Sequence, residues 1–295
     1  MQFENELKRS AERVEAVLAA IVAETAGETP AHLLAAMRHG LLGGGKRLRP
    51  FLAMASARLF GIDEARSART AAALECVHCY SLIHDDLPSM DDDDMRRGRP
   101  AAHILFGEAA AVLAGDALLT LAFEILADPR THADAAVRAE LVLDLARAAG
   151  GRGMAGGQML DLDAEGTVSD EAAVTRMQAM KTGALIVFGC AVGAILAKAG
   201  RAERDRLARY GEALGAAFQI CDDLLDREAS MQEMGKATGK DAEAGKATLI
   251  TLLGVEDARA RLASLIDAAK EALEPFGDQA AQLRAAADFV MTRRR

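Results

Sequence analysis

The chain predicts an all-α protein: a single bundle of about ten or more helices in one domain spanning 1–295, with three observations behind it. Apolar residues recur at helical spacing through most of the 295 positions. Apolar residues make up 51%, charged residues 27%, alanine dominates many windows and tryptophan is absent, a composition that favours helix over sheet or disorder. No stretch alternates apolar and polar residues long enough for a convincing strand. A chain of this length buries a large core, and an all-helical chain of this size still holds together as one domain.

In order, the helical segments run over residues 2–24, 31–42, 46–60, 64–87, 108–127, 133–149, 170–198, 202–227, 246–272 and 279–292. Glycine and proline supply the breaks: "GETP" before Pro30, "LLGGGKRLRP", "RRGRP", "ADPR" at Pro129, "GGRGMAGG" and "EPFGD" at Pro275. None is a long linker, and no fixed-period repeat occurs. The start, "MQFENELKRSAERVEAVLAA", places Glu4 and Glu6 early and lacks a sustained apolar core, so it predicts no secretory signal or transit peptide and a cytoplasmic location. The most apolar stretch, "TGALIVFGCAVGAILA" between Lys181 and Lys198, is sixteen residues, short of the roughly 20 that a bilayer needs. It reads as a buried core helix, with no membrane span. Cys76 and Cys79 form a CxxC, but no second pair closes a zinc site, and four cysteines are too few for a disulfide framework.

A net charge of −9 argues against general nucleic-acid binding. Six aspartates fall between Asp85 and Asp94 in "SLIHDDLPSMDDDDMRRGRP". Like charges that close repel, and aspartate is a poor helix former, so folding alone does not favour the cluster. Asp85 and Asp91 are six apart, which on an unbroken helix separates them by about 240° and about 9 Å. Pro88 disfavours helix at Leu87 and lets the chain fold back, returning Asp91 toward Asp85 and Asp86. A second acidic stretch, "FQICDDLLD", sets Asp222, Asp223 and Asp226 in an apolar helix. Asp222 and Asp226 are four apart and share a face, with side-chain origins about 5 to 6 Å apart, able to hold a divalent cation. Such hard oxygen donors suit magnesium together with substrate phosphates. A solvated helix face has the same spacing, but Phe218, Ile220, Leu224 and Leu225 place these acids among apolar neighbours.

Upstream, "GLLGGGKRLRP" joins three glycines to Lys46, Arg47 and Arg49. It nearly matches a P-loop, yet Arg47 stands where Ser or Thr should bind magnesium and no strand precedes it. Open backbone N–H groups beside fixed cations still suit a diphosphate, and His78 offers a further donor. Arg96 and Arg97 follow the aspartates. Lys181 precedes Thr182 and Gly183, and Lys236, Lys240 and Lys246 lie among glycines, a pattern that reads as a lid.

In combination these stretches resemble the trans-isoprenyl diphosphate synthase family, most closely its bacterial-type farnesyl diphosphate synthases. The resemblance runs through "GGGKRLRP", "LECVHCYSLIHDDLPSMDDDDMRRGRP", "HILFGEAAAVLAGDALLTLAFEIL", "GGQMLDLDAEG", "MKTGAL", "FQICDDLLD" and "MGKATGK" to "GKAT". It implies a helical bundle around a central cavity. There an allylic diphosphate bound between the two aspartate motifs ionises, and the double bond of isopentenyl diphosphate attacks the cation. By motif position it implies that Asp85, Asp86 and Asp91, with Asp222 and Asp226 opposite, hold Mg2+, several ions per site, with Mn2+ a substitute, and that Asp223 supports them. Arg96, Lys181 and Lys236 bind the allylic diphosphate, with Lys246 in the same lid, whereas Gly45, Lys46, Arg49, His78 and Arg97 bind isopentenyl diphosphate. Thr182 and Gln219 lie beside the cation. The family commonly has an aromatic residue and a proline after the position of Lys246, where this chain has Leu249 and Ile250 after Thr248, and that departure touches lid geometry.

Tyr80, five residues before Asp85 and about 7.5 Å lower along the helix, either floors the chain pocket with its ring or packs in the core, and Ser81, four before Asp85, lies on nearly the same face as that aspartate. The bacterial-type farnesyl synthases that the chain resembles pair an aromatic at this position with the two-residue insertion seen in "DDLPSMD", so the resemblance implies a C15 product, farnesyl diphosphate; a geranylgeranyl diphosphate synthase is the alternative. The family also implies a homodimer acting on isoprenoid diphosphates. A terpene cyclase needs no isopentenyl site, and a noncatalytic partner subunit typically loses an aspartate motif that this chain keeps.

Overall fold

The computed structural model describes residues 2–164, 170–234 and 249–293, with residues 2 and 228–234 described by backbone alone. The chain is all-α: fourteen α-helices and one strand pair occur among the described residues. They fall into two compact units, residues 1–143 with 192–199 and residues 144–191 with 200–295.

In the first unit α1 (Gln2–Glu24), α2 (Ala31–Leu41), α3 (Leu48–Arg58) and α6 (Glu108–Ala127) pack against α4 (Glu64–Asp85). Asp63 starts α4 by accepting from the Ala65 and Arg66 amides at 2.7 and 3.3 Å, satisfying donors that the first turn leaves open. Ala68, Ala71, Ala72 and Ala73 are fully buried, and such small side chains let neighbouring helices approach closely. Phe51 and Leu52 of α3 are likewise buried, each contributing roughly 1.5–3 kcal/mol. Pro88 then ends α4 as expected: the Asp91 amide donates to the Asp85 carbonyl at 2.9 Å and Asp92 turns left-handed at φ 52°. The strand-free expectation fails just beyond this turn. β1 (Met95–Arg96) and β2 (Arg99–Pro100) pair antiparallel through Arg97 and Gly98, both at positive φ, the geometry of a tight hairpin turn. His39 of α2 ties this hairpin down, donating from Nε2 to the Pro100 carbonyl at 2.9 Å and accepting from Arg99 at Nδ1 at 2.8 Å. α5 (Ala102–Phe106) leads into α6. α7 (Ala135–Ala149) and α10 (Ala184–Leu196) each have residues in both units.

The second unit adds α8 (Met154–Asp163), α9 (Glu171–Gln178), a π-helical turn (Ala179–Gly183), α11 (Arg201–Met234), α12 (Leu249–Leu253), α13 (Val255–Ala272), a 3₁₀ segment (Glu274–Ala280) and α14 (Ala281–Thr292). α11 packs along α13 and α14. Fully buried Tyr210 satisfies its hydroxyl on the Leu283 carbonyl at 2.8 Å. The expected helix over 170–198 is interrupted by the π turn, and that over 246–272 is broken by Gly254 at φ 85°. Two short helices, α5 and α8, escaped the periodicity, α8 because glycines at 156 and 157 read as a break. Gly157 is there for contact: a Cβ would stand 2.6 Å from Lys181 Cα. By length and composition alone, α6 and the run Glu171–Leu196 are each apolar enough to cross a membrane. Leu185, Ile186, Phe188 and Cys190 in the latter are buried within the protein, as the core-helix reading expected.

Candidate active site

The first unit gathers the cations. Gly44 and Gly45 take φ of 75° and 129°, conformations that favour glycine, so the loop before α3 curls tightly. Arg97, at the hairpin tip, donates into that curl to the Gly44 carbonyl. A Cβ on Gly45 would meet the Arg97 guanidinium at 2.5 Å, so glycine is what allows the two to touch. Lys46 is exposed to solvent, and Arg47, at the start of α3, is buried. His78 on α4 lies among these charges: burial first, then Arg49, Arg97, Arg47 and Arg96, push its imidazole well below the usual range and hold it neutral. Cations crowded around a neutral donor need an anion to balance them. Gly45, Arg49, His78 and Arg97 are thus brought together, with Lys46 next to Gly45 in the loop.

At the end of α4, Asp86 is buried and accepts from Arg96 Nε at 2.8 Å and also from Nη2. Burial raises the Asp86 carboxyl, while the Arg96 hydrogen bond and charge pull it partway back. Arg96 also reaches Asp93 at 3.4 Å. Asp85 closes α4, and the backbone amide of Asp91 returns to the Asp85 carbonyl. Tyr80 is half-buried, edge-on to His84 with ring centroids 5.7 Å apart. Burial, then the Asp85 charge, raises its phenol. Ser81 donates to the His78 carbonyl at 2.9 Å, so its hydroxyl serves its own helix.

The second unit carries the other acidic motif. The π turn widens the helix where Thr182 precedes Gly183. Thr182 Oγ1 donates to Gln219 Oε1 at 3.1 Å, Gln219 Nε2 donates to Asp223 at 3.0 Å, and Gln178 Nε2 donates to the other Asp223 oxygen at 3.1 Å. Burial, with Asp222 and Asp226 adding to it against these two hydrogen bonds, pushes the Asp223 carboxyl up to about 6. Lys181 Nζ donates to Asp161 at 2.7 Å. Asp222 accepts from Arg293 Nη2 at 2.5 Å; the same nitrogen reaches the Phe218 carbonyl at 3.0 Å, and the guanidinium sits 3.8 Å from the Phe218 ring centroid. Asp226 lies one turn further along α11. Lys236 and Lys246 lie outside the described residues.

Sequence reasoning missed Asp161, Gln178 and Arg293. "MLDLD" held a signal, an acid among apolar residues, whereas a terminal "RRR" reads as a solvated tail. Among the described residues no three His, Cys, Asp or Glu side chains converge on one point. The acidic motifs nevertheless fit a divalent cation. Their donors are hard carboxylate oxygens, and a guanidinium balances Asp86 and another Asp222, the part a metal plays when bound. A cavity of about 490 Å³ in the second unit is lined by Gln178, Gly183, Val187, Phe188, Ile220 and Leu249.

A family profile described as polyprenyl synthetase matches residues 30–282. The chain is 47% identical over 262 residues to a farnesyl diphosphate synthase of Escherichia coli, covering 87% of this chain and 88% of that one. It is 41% identical to a geranylgeranyl diphosphate synthase of Cyanophora paradoxa, covering 90% and 88%. Among solved structures, an FPP/GFPP synthase from Zymomonas mobilis superposes with a TM-score of 0.88 at 42% identity, covering 99% of each chain.

Proposed function

The chain belongs to the polyprenyl synthetase family and is a short-chain trans-prenyl diphosphate synthase, and from that premise we propose that it makes (2E,6E)-farnesyl diphosphate. Dimethylallyl or geranyl diphosphate is the allylic primer, and isopentenyl diphosphate extends it. The allylic C–O bond breaks and pyrophosphate leaves; the isopentenyl double bond attacks the allylic carbon, and the departing pyrophosphate takes the proton that is lost.

Lys46, Arg49 and Arg97 grip the isopentenyl diphosphate through charge-assisted hydrogen bonds, with His78 as a neutral donor and Gly45 admitting the phosphates to the backbone. Arg96, Lys181, Lys236 and Lys246 bind the allylic diphosphate. Thr182 and Gln219, hydrogen-bonded to each other, present oxygen dipoles to the cation and keep water from it. Asp85, Asp86 and Asp91, with Asp222 and Asp226, hold magnesium, and Asp223 braces the second motif. When bound, the metal stabilises charge on the leaving diphosphate.

The observation that carries the C15 length is Tyr80, a half-buried aromatic side chain five residues before Asp85. Relatives that make C15 and C20 products are similarly identical to this chain, so pocket depth is what separates the readings. Incubating the protein with isopentenyl diphosphate, geranyl diphosphate and magnesium, then sizing the products, tests it: C15 is expected, and a dominant C20 product would replace the reading with a geranylgeranyl synthase. No turnover would point to the noncatalytic partner subunit.

The profile match spans both units and α7 and α10 have residues in each, which supports one catalytic domain over 1–295. Ile104, Leu105, Val112 and Leu113, large apolar side chains exposed on α5 and α6, support a homodimer that covers them. A light-scattering mass of one chain would refute it. Burial of the apolar α10 residues inside the protein supports reading α10 as a core helix and not as a membrane span.

A further inference from the structure

We propose that Arg47 and Glu75 are a positioning pair for the isopentenyl diphosphate loop, an inference that rests on the substrate-binding role of Lys46, Arg49 and His78 under the proposed function. Neither residue touches substrate in that reading. Arg47 caps α3 in the left-handed conformation, φ 49° and ψ 40°, which a residue with a Cβ adopts only when its surroundings hold it there.

Its surroundings do so. The Arg47 side chain is fully buried. Nη1 donates to Glu75 Oε1 and reaches Cys79 Sγ at 3.5 Å, and Nη2 donates to the Leu41 carbonyl at 2.7 Å and to Glu15 at 3.2 Å. Burial disfavours the Arg47 charge, and Glu75 more than offsets it, aided by Cys79 and Glu15, so the guanidinium stays charged. Glu75 itself is 1% exposed, so each member of the pair is the other's compensation for leaving water.

The consequence lies in what the pair joins. Glu75 sits on α4 three residues before His78, hence one turn below it. Arg47 sits between Lys46 and Arg49 in the loop. With its side chain drawn inward against α4, the backbone around it sends Lys46 outward and starts α3 at Leu48, which fixes Arg49. One buried ion pair therefore sets the distance between the loop's cations and the α4 imidazole, the two halves of one diphosphate grip. Glu15 and Leu41 hold the same guanidinium from α1 and α2, so the loop is referenced to all three helices.

The test is steady-state kinetics of Glu75→Gln with the two substrates varied separately, and denaturant midpoints as control. Because a displacement near 1 Å weakens a positioned contact strongly, KM for isopentenyl diphosphate is expected to rise about tenfold or more, with kcat and KM for geranyl diphosphate changed far less. Where Glu75→Gln does not fold, Glu15→Gln, which removes a half-exposed contact to the same guanidinium, is expected to shift the same KM in the same direction by a smaller factor. A folded variant with wild-type KM for isopentenyl diphosphate, or with both KM values raised alike, overturns the proposal. Lack of turnover in the unmodified protein would instead overturn the function on which it rests.

Discussion

Replacing Gly157 by alanine should slow the condensation without touching a substrate-binding side chain. An alanine Cβ at this position in α8 lies 2.6 Å from Lys181 Cα and 2.7 Å from Met180 C, and nearer still to the Lys181 amide nitrogen. All three are backbone atoms, so no side chain can swing aside. Carbon contacts relax at about 3.5–4.0 Å, so α8 and the π turn must separate by about 1 Å. That separation stretches the 2.7 Å ion pair between Asp161 of α8 and Lys181 of the turn, and it shifts Thr182 relative to Gln219. Overpacking of this kind costs about 1–3 kcal/mol of stability. A misplacement of about 1 Å in a positioning element lowers kcat by about 10²-fold. KM for isopentenyl diphosphate should stay at the wild-type value, because the loop at Gly45 belongs to the other unit. Single-turnover rates with geranyl diphosphate, together with urea unfolding, measure both effects. Wild-type kcat combined with a wild-type midpoint would refute the close-packing argument.

Three further outcomes are expected. Asp222→Ala should lower turnover by more than about 10³-fold, since several kcal/mol of leaving-group stabilisation depend on the metal it holds. It should also cost about 1–3 kcal/mol in magnesium-free melts, because the buried Arg293 guanidinium is left, among the described residues, with Phe218 alone; an unchanged melting temperature would count against that pairing. Tyr80→Ala should shift the product toward C20 or longer by chromatographic sizing, and an unchanged C15 product would show that another residue floors the pocket. Asp223 is raised from 3.8 to about 6, so its contribution is present below the unfolded value and lost as pH rises through the folded one. Asp223→Asn, which stays neutral, should therefore gain on the wild type by about 2 kcal/mol between about pH 4 and pH 7 in metal-free melts. A gap that does not widen with pH would contradict it.

Helix content, most element positions and both acidic motifs were legible because they are local. Burying a stripe of a helix demands apolar residues every three or four positions, and that period is written into α1 and α11. Aspartates packed against their own repulsion announce a missing cation, and Pro88 foretold the fold-back to Asp85. The cationic loop was legible for the same reason, glycines and positive charges within a few residues. Tertiary structure decided the rest. The π turn at Ala179–Gly183 accompanies a close contact with Gly157 of α8, and glycines that look like a linker serve as a helix face once a backbone lies against them. The strand pair in "RRGRP" exists because two residues at positive φ close it and His39 anchors it. Lys181 meets Asp161 across 20 residues, Arg47 meets Glu75 across 28, Gln178 meets Asp223 across 45 and Arg293 meets Asp222 across 71. A lone charge or amide looks the same in a sequence whether its partner is water or a distant side chain, and only packing the helices brings the two together and removes the water between them.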